Sequence, residues 1–215
     1  CDTVLLSVGL IPENELTRAA GIPIDSRTSG AVVFENMETV TPGIFSCGNV
    51  VHVHDLVDFV TTESRRAGAA AARYAAAGQS SPALSCLEVQ NGAGVTYTVP
   101  QKIRPAHVEK GVDLFFRVDN VYRNRRICVT SSGEELCSFS REHMAPGEME
   151  HIVLPKRLLE RAGRSDRGTI TGIYTVLVDG EAEIEYLRTV LYEVESAPGE
   201  MALNEIRAEL KSQGY

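Results

Sequence analysis

Positive charge is scarce in this sequence. Its 215 residues include 21 lysines and arginines against 29 aspartates and glutamates, which gives a formal net charge of −8. Nucleic acids and anionic membrane surfaces attract proteins mainly through basic patches, so the composition predicts no nucleic-acid partner. Long apolar runs are missing as well, and no membrane span is expected.

Paired cysteines are also missing. The five cysteines are odd in number, and their spacing shows neither C-x-x-C nor a metal-ligand pattern. A disulfide framework is thereby disfavoured, and reduced thiols in a cytoplasmic protein are expected. The sequence has no initiator methionine and no signal-peptide pattern, so we expect a cytoplasmic fragment of a longer protein. The five cysteines are Cys1, Cys47, Cys86, Cys128 and Cys137.

The most informative stretch is T-P-G-I-F-S-C-G-N-V, from Thr41 to Val50. Its apolar part, Gly43 to Cys47, lies between a Thr-Pro turn signal and a Gly-Asn pair. This pattern predicts a buried strand that ends abruptly at Gly48. A glycine at that point lets another group come close to the backbone.

A long helix is predicted directly after this stretch, from Asp55 to Gly78. Helix propensity is high almost throughout, and acidic residues gather in the first turn, where they favour the helix dipole. Gly78 provides a stop signal. Gly68 and the surrounding alanines give the helix a smooth face that suits close packing against a sheet.

Three shorter elements are predicted before the central stretch. Asp2 to Val8 is a continuous apolar run with β-branched residues, which is typical of a buried strand in a parallel sheet. A sharp turn follows from Gly9 to Asn14. Glu15 to Ala20 should then form a short helix, and Gly30 to Phe34 a short strand.

The central stretch, with its following helix and the motif A-G-A-A-A-A, resembles the second FAD fingerprint of the pyridine nucleotide-disulfide oxidoreductase-like family. The segment S-V-G-L-I-P-E-N, residues 7–14, resembles the family's crossover A-T-G-x-x-P-N from the NAD(P) domain to the FAD domain. The two motifs also occur in the family's order and spacing. The resemblance implies an α/β fold, namely the C-terminal part of a doubly wound, Rossmann-like FAD-binding domain.

The resemblance also implies the cofactor contacts. Gly48 and Asn49 would contact FAD, with asparagine in place of the family's usual acidic residue. Backbone amides of Val60 and Thr61 would face the pyrimidine edge of the flavin, where a helix N-terminus stabilises the negative charge of the reduced state. Since G-x-G-x-x-G occurs nowhere in the chain, the phosphate loop and the NAD(P) domain would lie upstream or be absent.

The pattern changes after Gln79 to Pro82, which is a linker by composition. Short β-rich runs follow at a spacing that suits an antiparallel, immunoglobulin-like sandwich, with one helix from Pro155 to Ala162. We therefore predict an FAD-domain part in residues 1–80, a β-sandwich in 81–195 and a helical tail in 196–215. The expected strands are Leu84 to Val89, Val95 to Ile103, Val112 to Val118, Arg126 to Ser131, Glu135 to Phe139, Met149 to Leu154 and Thr169 to Val178.

His52 and His54 alternate along an extended segment, so their side chains should point the same way. Three interpretations stay open: ligands of zinc or iron, a polar or proton-transfer role beside the flavin, or loop histidines without chemistry. With no third ligand in the pattern, no metal is predicted. His54 is the one candidate for a catalytic residue.

The sequence thus predicts part of an oxidoreductase that transfers hydride or electrons between NAD(P)H, FAD and an unidentified acceptor. Its expected partners are FAD, a nicotinamide nucleotide, and either a partner oxidoreductase subunit or a second copy of the chain. Two alternatives remain. The chain is a non-catalytic module that docks on an oxidoreductase subunit, or it belongs to a flavin-dependent thiol-disulfide reductase with its redox cysteines upstream.

Overall fold

The computed structural model describes residues 2–6, 9–77, 86–131 and 134–162. All described residues belong to one compact unit, which lies within Cys1–Leu177. The predicted linker, the last predicted strand and the helical tail lie outside the described residues. Among those described, no helix combines the length and hydropathy that crossing a membrane requires.

The first predicted strand does not form in residues 2–6. They adopt no regular structure, and Leu5 is 93% exposed. A run that is apolar on both faces needs neighbours on both faces, as in the middle of a parallel sheet. No described residue provides them, so the expectation of a buried strand from Asp2 is wrong for this part.

Helix α1, Glu15–Ala19, confirms the predicted short helix. The strand predicted from Gly30 is replaced by isolated bridges, such as Ile24 with Ala31. The strand predicted from Gly43 to Cys47 is likewise reduced to one bridge, between Glu38 and Phe45. Gly43 has a φ of +80° and lies against the Tyr74 ring, so this segment begins as a turn rather than as a strand.

Helix α2, Val57–Ala77, confirms the predicted long helix. Its buried side chains are Glu63, Ala67 and Ala70, a spacing of four and three residues that defines one face. Ala67 joins a small core with Val51, Val33 and other apolar residues of the first 51 positions, and with Tyr97 and Val99 beyond the helix. The alanines allow the close approach that the sequence predicts.

In the described residues after α2, the chain forms seven antiparallel strands. They form a three-stranded sheet in the order β2-β4-β7, a β5-β6 hairpin and a short β1-β3 pair. Helix α3, Lys156–Ala162, follows the last strand and confirms the predicted helix at this position. The strands are β1 Leu87–Glu88, β2 Val95–Val99, β3 Lys102–Ile103, β4 Gly111–Val118, β5 Tyr122–Ser131, β6 Glu134–Met144 and β7 Glu150–Pro155.

One apolar core holds the three sheets together. The central strand β4 contributes Leu114 and Phe116, the hairpin contributes Ile127, and α3 contributes Leu159, all 2% exposed or less. The hairpin therefore packs its apolar side on the same core as the sheet. The immunoglobulin-like assignment of these strands stays a prediction, as do the domain boundaries at 80 and 195.

A buried ion network joins the segment before α2 to the strands after it. Arg104, at the end of β3, binds Glu38 at 2.7 Å and Asn36 at 2.7 Å. Its backbone N–H donates to Glu35 at 2.8 Å, and its guanidinium carbon lies 4.1 Å from the centre of the Phe34 ring. The two predicted domains thus share a polar interface within the described part of the chain.

Candidate functional site

The Gly-Asn pair lies in a short 3-10 helix, Gly48–Val50. Gly48 has a φ of +72°, a conformation that glycine adopts without strain. Its N–H donates to the Glu63 carboxylate, and its carbonyl accepts from the Val51 N–H at 2.9 Å. Both backbone polar groups of the fingerprint glycine are therefore bonded within the chain.

His52, His54 and Glu63 meet directly behind this turn. His52 Nε2 lies 3.1 Å from one Glu63 oxygen, and His54 Nε2 lies 3.2 Å from the other. The three residues are 1%, 8% and 2% exposed, in that order. The loop brings the two histidines to one side, as their alternation predicts, and helix α2 supplies the glutamate from its buried face.

The charge of this cluster is set by burial and hydrogen bonding. Burial favours the protonated form of Glu63, but hydrogen bonds from His52, His54 and Gly48 outweigh it and lower the pKa of Glu63 to about 2. Burial lowers the pKa of His52, against the raising effect of Glu63. At neutral pH the cluster therefore holds an ionised carboxylate and a neutral His52. The Nδ1 atoms of both rings are buried, and no described residue forms a hydrogen bond with either of them.

Asn49 is half-buried and binds within the chain as well. Its Oδ1 accepts from the His54 N–H at 3.1 Å, which ties the fingerprint asparagine to the candidate histidine. The turn is also held from the other side, because Asn14 donates to the Val50 carbonyl at 2.7 Å. The Nδ2 group of Asn49 is a hydrogen-bond donor of the kind that a cofactor contact at this position requires.

Val60 and Thr61 lie in the first part of α2. A Cβ built on Gly48 would be 3.4 Å from Val60 Cγ1, so the turn and the helix are in contact here. Thr61 is exposed, and its hydroxyl donates to the Val57 carbonyl at 3.0 Å. Since α2 begins at Val57, the backbone amides that lack an i−4 partner precede Val60. Among them, the Phe59 N–H donates to the Leu56 carbonyl at 3.2 Å.

The loop between the turn and α2 is anchored to strand β4 by Arg117. Its guanidinium donates to the Val53 carbonyl at 3.1 Å and forms an ion pair with Asp55. Asp55 also accepts from the Met149 N–H at 2.6 Å. The strands after α2 thereby fix the loop that carries both histidines.

Sequence reasoning missed Glu63 and Arg117. No spacing rule links position 63 to a histidine pair nine residues earlier. One signal was present, because Glu63 shares a helix face with Ala67 and Ala70, and small residues at that spacing indicate a buried face. Arg117 lies in a strand that is distant in sequence, and no local pattern connects it to the loop.

Cys47 precedes the fingerprint glycine and is half-buried. Its Sγ lies 3.7 Å from the Ser64 hydroxyl of α2. Cys47, Cys86, Cys128 and Cys137 are free thiols. Across the hairpin, Cys128 pairs with Ser138 and Cys137 with Val129, so these two cysteines do not lie directly opposite each other.

All of the cofactor-contact candidates lie in the first third of the chain, around one turn and one helix. The comparison with protein families identifies the same region. Residues 1–76 match the family model Pyridine nucleotide-disulphide oxidoreductase. The match ends one residue before the end of α2 and includes both sequence motifs. A search of curated proteins gave no match, and a search of solved structures gave none.

The family match supports the resemblance seen in the sequence. For the matched 76 of 215 residues it implies a Rossmann-like FAD-binding domain and suggests the chemistry of a flavoprotein oxidoreductase. Members of this family typically bind FAD and NAD(P). The roles of Gly48, Asn49, Val60, Thr61 and His54 stay predictions.

Proposed function

We propose that this chain is the C-terminal part of an FAD-dependent, NAD(P)-linked oxidoreductase. The observation that carries the proposal is the family match over residues 1–76, which includes the Gly48 turn and the helix against which it packs. The reaction is the transfer of hydride or electrons between NAD(P)H, FAD and an acceptor. When bound, FAD supplies the two-electron chemistry, and the protein supplies its binding and orientation.

The residues around the turn fit a flavin in three respects. Gly48 has no side chain, so the backbone can be approached closely from the side of the turn. The Asn49 amide group is available as a donor. Leu56 and Val57 at the start of α2 are exposed. The first amides of a helix have no i−4 carbonyl partner and can donate to a ligand, although here the Phe59 N–H already donates to the Leu56 carbonyl. The positive end of the helix dipole there favours the anionic reduced flavin.

We do not assign Gly48 the role of a hydrogen-bond donor to the flavin. Its N–H and carbonyl are bonded to Glu63 and Val51. We infer that Gly48 acts by shape, and that Asn49 and the start of α2 provide the polar contacts. Val60 then provides the apolar contact between the turn and helix α2.

We also propose that strands β1 to β7 belong to an immunoglobulin-like appendage of a cytoplasmic enzyme. Their antiparallel pairing and shared core support the first part, and the free thiols support the second. A partner oxidoreductase subunit or a second copy of the chain would cover apolar residues that are now exposed. Val4, Leu5 and Leu6 are 76%, 93% and 81% exposed.

The exposed apolar segment also favours the second candidate function, a non-catalytic module that docks on an oxidoreductase subunit. In that case the segment serves as a contact surface, and the Gly-Asn turn is an inherited feature without a flavin. The two functions differ in one property that can be measured directly, namely whether the protein binds FAD.

The test is a visible absorption spectrum of the purified protein after incubation with FAD and removal of the excess. We expect flavin bands that bleach under anaerobic conditions when NADH or NADPH is added, and the effective nucleotide identifies the specificity. Bound flavin that neither nucleotide reduces would contradict the NAD(P)-linked part. A protein that stays colourless would overturn the oxidoreductase proposal in favour of the docking module.

A further inference from the structure

The cluster behind the Gly-Asn turn contains three side chains of types that bind metals. His52 and His54 come from the loop, and Glu63 comes from α2. Suitable ligand atoms of all three lie within 4.8 Å of one another. We propose that these residues form a buried binding site for a transition metal ion, Zn²⁺ or Fe²⁺.

The distances within the cluster suit a shared ion. Each histidine Nε2 lies 3.1 or 3.2 Å from a Glu63 oxygen. Zinc binds imidazole nitrogen and carboxylate oxygen at about 2.0–2.2 Å, so two ligands of one ion lie roughly 3 Å apart. The two histidine–glutamate separations thus match those of a coordination shell, and the whole set of ligand atoms lies within 4.8 Å.

The donor set determines the class of metal. Two imidazole nitrogens and one carboxylate suit zinc, and they also form the two-histidine, one-carboxylate set of non-haem iron sites. Calcium and magnesium prefer shells built from oxygen, and this cluster offers too few. Among the described residues no fourth histidine, cysteine, aspartate or glutamate joins the group, which leaves at least one position for water or another ligand.

Metal binding requires a change of tautomer in both rings. In the free cluster each Nε2–H donates to the ionised Glu63 carboxylate. The Nδ1 atoms of His52 and His54 have no hydrogen-bond partner among the described residues. The ring proton can therefore move from Nε2 to Nδ1 without breaking another hydrogen bond, and the bare Nε2 then coordinates the ion. The single hydrogen bond that each ring loses, the one to Glu63, is replaced by metal coordination.

Neighbouring groups hold the ligands in place. The Gly48 N–H donates to Glu63, and the Asn49 side chain accepts from the His54 N–H, so the carboxylate and one histidine have fixed supports. The His52 and His54 rings pack against Phe115, with centroid separations of 5.9 and 5.7 Å. Buried ligands with such supports favour ligation once an ion is present.

The test is metal binding by the complete purified protein. Metal content is measured by mass spectrometry after purification without chelators, and Zn²⁺ is then titrated into chelator-treated protein in a calorimeter. The variants are H52Q, H54Q and E63Q. The matched control is H143Q, because His143 and Glu148 form an exposed imidazole–carboxylate pair at 3.6 Å.

We expect about one ion per chain in the wild type and in H143Q, and at least about tenfold weaker binding in each cluster variant, the loss typical of impaired metal sites. No zinc or iron in the purified protein together with no Zn²⁺ binding would overturn the proposal. Equal affinity in H54Q and H143Q would overturn it as well. Neither readout involves flavin, so the outcome is independent of the oxidoreductase proposal.

Variants of a buried cluster can fail to fold, so a second measurement uses the wild type alone. The X-ray absorption fine structure of the zinc-loaded protein should show two imidazole ligands and oxygen from Glu63 or water. A shell without imidazole would place the ion elsewhere and overturn the proposal.

Discussion

At the residue scale, Gly48 connects the candidate cofactor side of the turn to the buried cluster behind it. Its positive φ aims the N–H at Glu63, and its missing side chain leaves room beside Val60. Gly48 therefore meets two requirements, a positive φ and the absence of a side chain. Any L-residue at this position must strain the turn, because its φ is +72°.

We expect Gly48→Ala to destabilise the protein by about 1–2 kcal/mol, because an L-residue in the left-handed region carries that cost. Urea unfolding followed by circular dichroism measures the change. Gly68→Ala is the matched control, since Gly68 is an exposed helix residue with no atom within 4 Å of its added Cβ. The control should gain up to about 1 kcal/mol from helix propensity. Equal losses in both variants would contradict the special role of the turn.

At the scale of elements, α2 is joined to the strands by a charged and an aromatic contact. Arg66 forms an ion pair with Asp113 of β4, and His151 of β7 binds the same carboxylate at 2.8 Å. Phe115 stacks on His151 at 4.6 Å and meets Phe59 of α2 at 5.2 Å. The helix that carries the candidate site is thus fixed to the sheet at two adjacent points.

The ion pair makes stability depend on pH. The hydrogen bond from His151, with help from Arg66, lowers the pKa of Asp113 from its ordinary value of 3.8, against the effect of burial. A carboxyl group whose pKa is lower in the folded state than in the unfolded state stabilises the fold at pH values above the unfolded-state pKa. This stabilisation is lost as the pH falls through the folded-state pKa. Asp113→Asn should therefore cost about 1 kcal/mol at neutral pH, and the gap to the wild type should shrink below pH 3.8.

Urea midpoints of wild type and Asp113→Asn, measured across the acid range, test this expectation. Asp119→Asn serves as a control, because Asp119 accepts a hydrogen bond from Tyr122 outside the α2 contact. A gap between wild type and Asp113→Asn that stays constant as the solution is acidified would show that the carboxylate charge contributes nothing to the contact.

The elements differ in how well the sequence predicts them. Helix α2 and most strands from β2 to β7 follow from local patterns, because propensity and alternation are properties of neighbouring residues. The apolar runs at Asp2 and Gly43 were predicted as buried strands and are not, since a strand depends on pairing partners that the run itself does not contain. Of the cluster of His52, His54 and Glu63, the sequence pattern predicts only the two histidines as neighbours. Glu63 reaches them through the packing of α2, which no local pattern describes.

At the scale of the molecule, the segment before α2 and the strands after it share buried charges. Arg104 lies between Glu35 and Glu38, and the side chains of all three are 8% exposed or less. Removing the arginine would leave two buried carboxylates without their cation, which is far more costly than losing a surface pair. Because these buried charges join the two parts, we expect residues 1–80 and the sheets of β1 to β7 to unfold together.

Arg104→Met should lower the free energy of unfolding by about 3–5 kcal/mol, the usual cost of breaking a buried ion pair from one side. Lys102→Met is the control, because its pair with Glu88 is partly exposed and should be worth less than about 1 kcal/mol. The protein has no tryptophan, so two other probes are needed. Circular dichroism follows helical signal that includes α2, the longest helix of the described residues, and alkylation of the buried Cys128 follows the hairpin.

In the wild type both probes should give the same urea midpoint, and in Arg104→Met both should shift together. We expect this result because the unpaired Glu35 and Glu38 would destabilise both parts that the network joins, including the hairpin core. Separate midpoints in the wild type would mean that the two parts unfold independently and that Arg104 joins two domains without coupling them. A shift confined to the helical signal in Arg104→Met would limit the role of the network to the segment before α2.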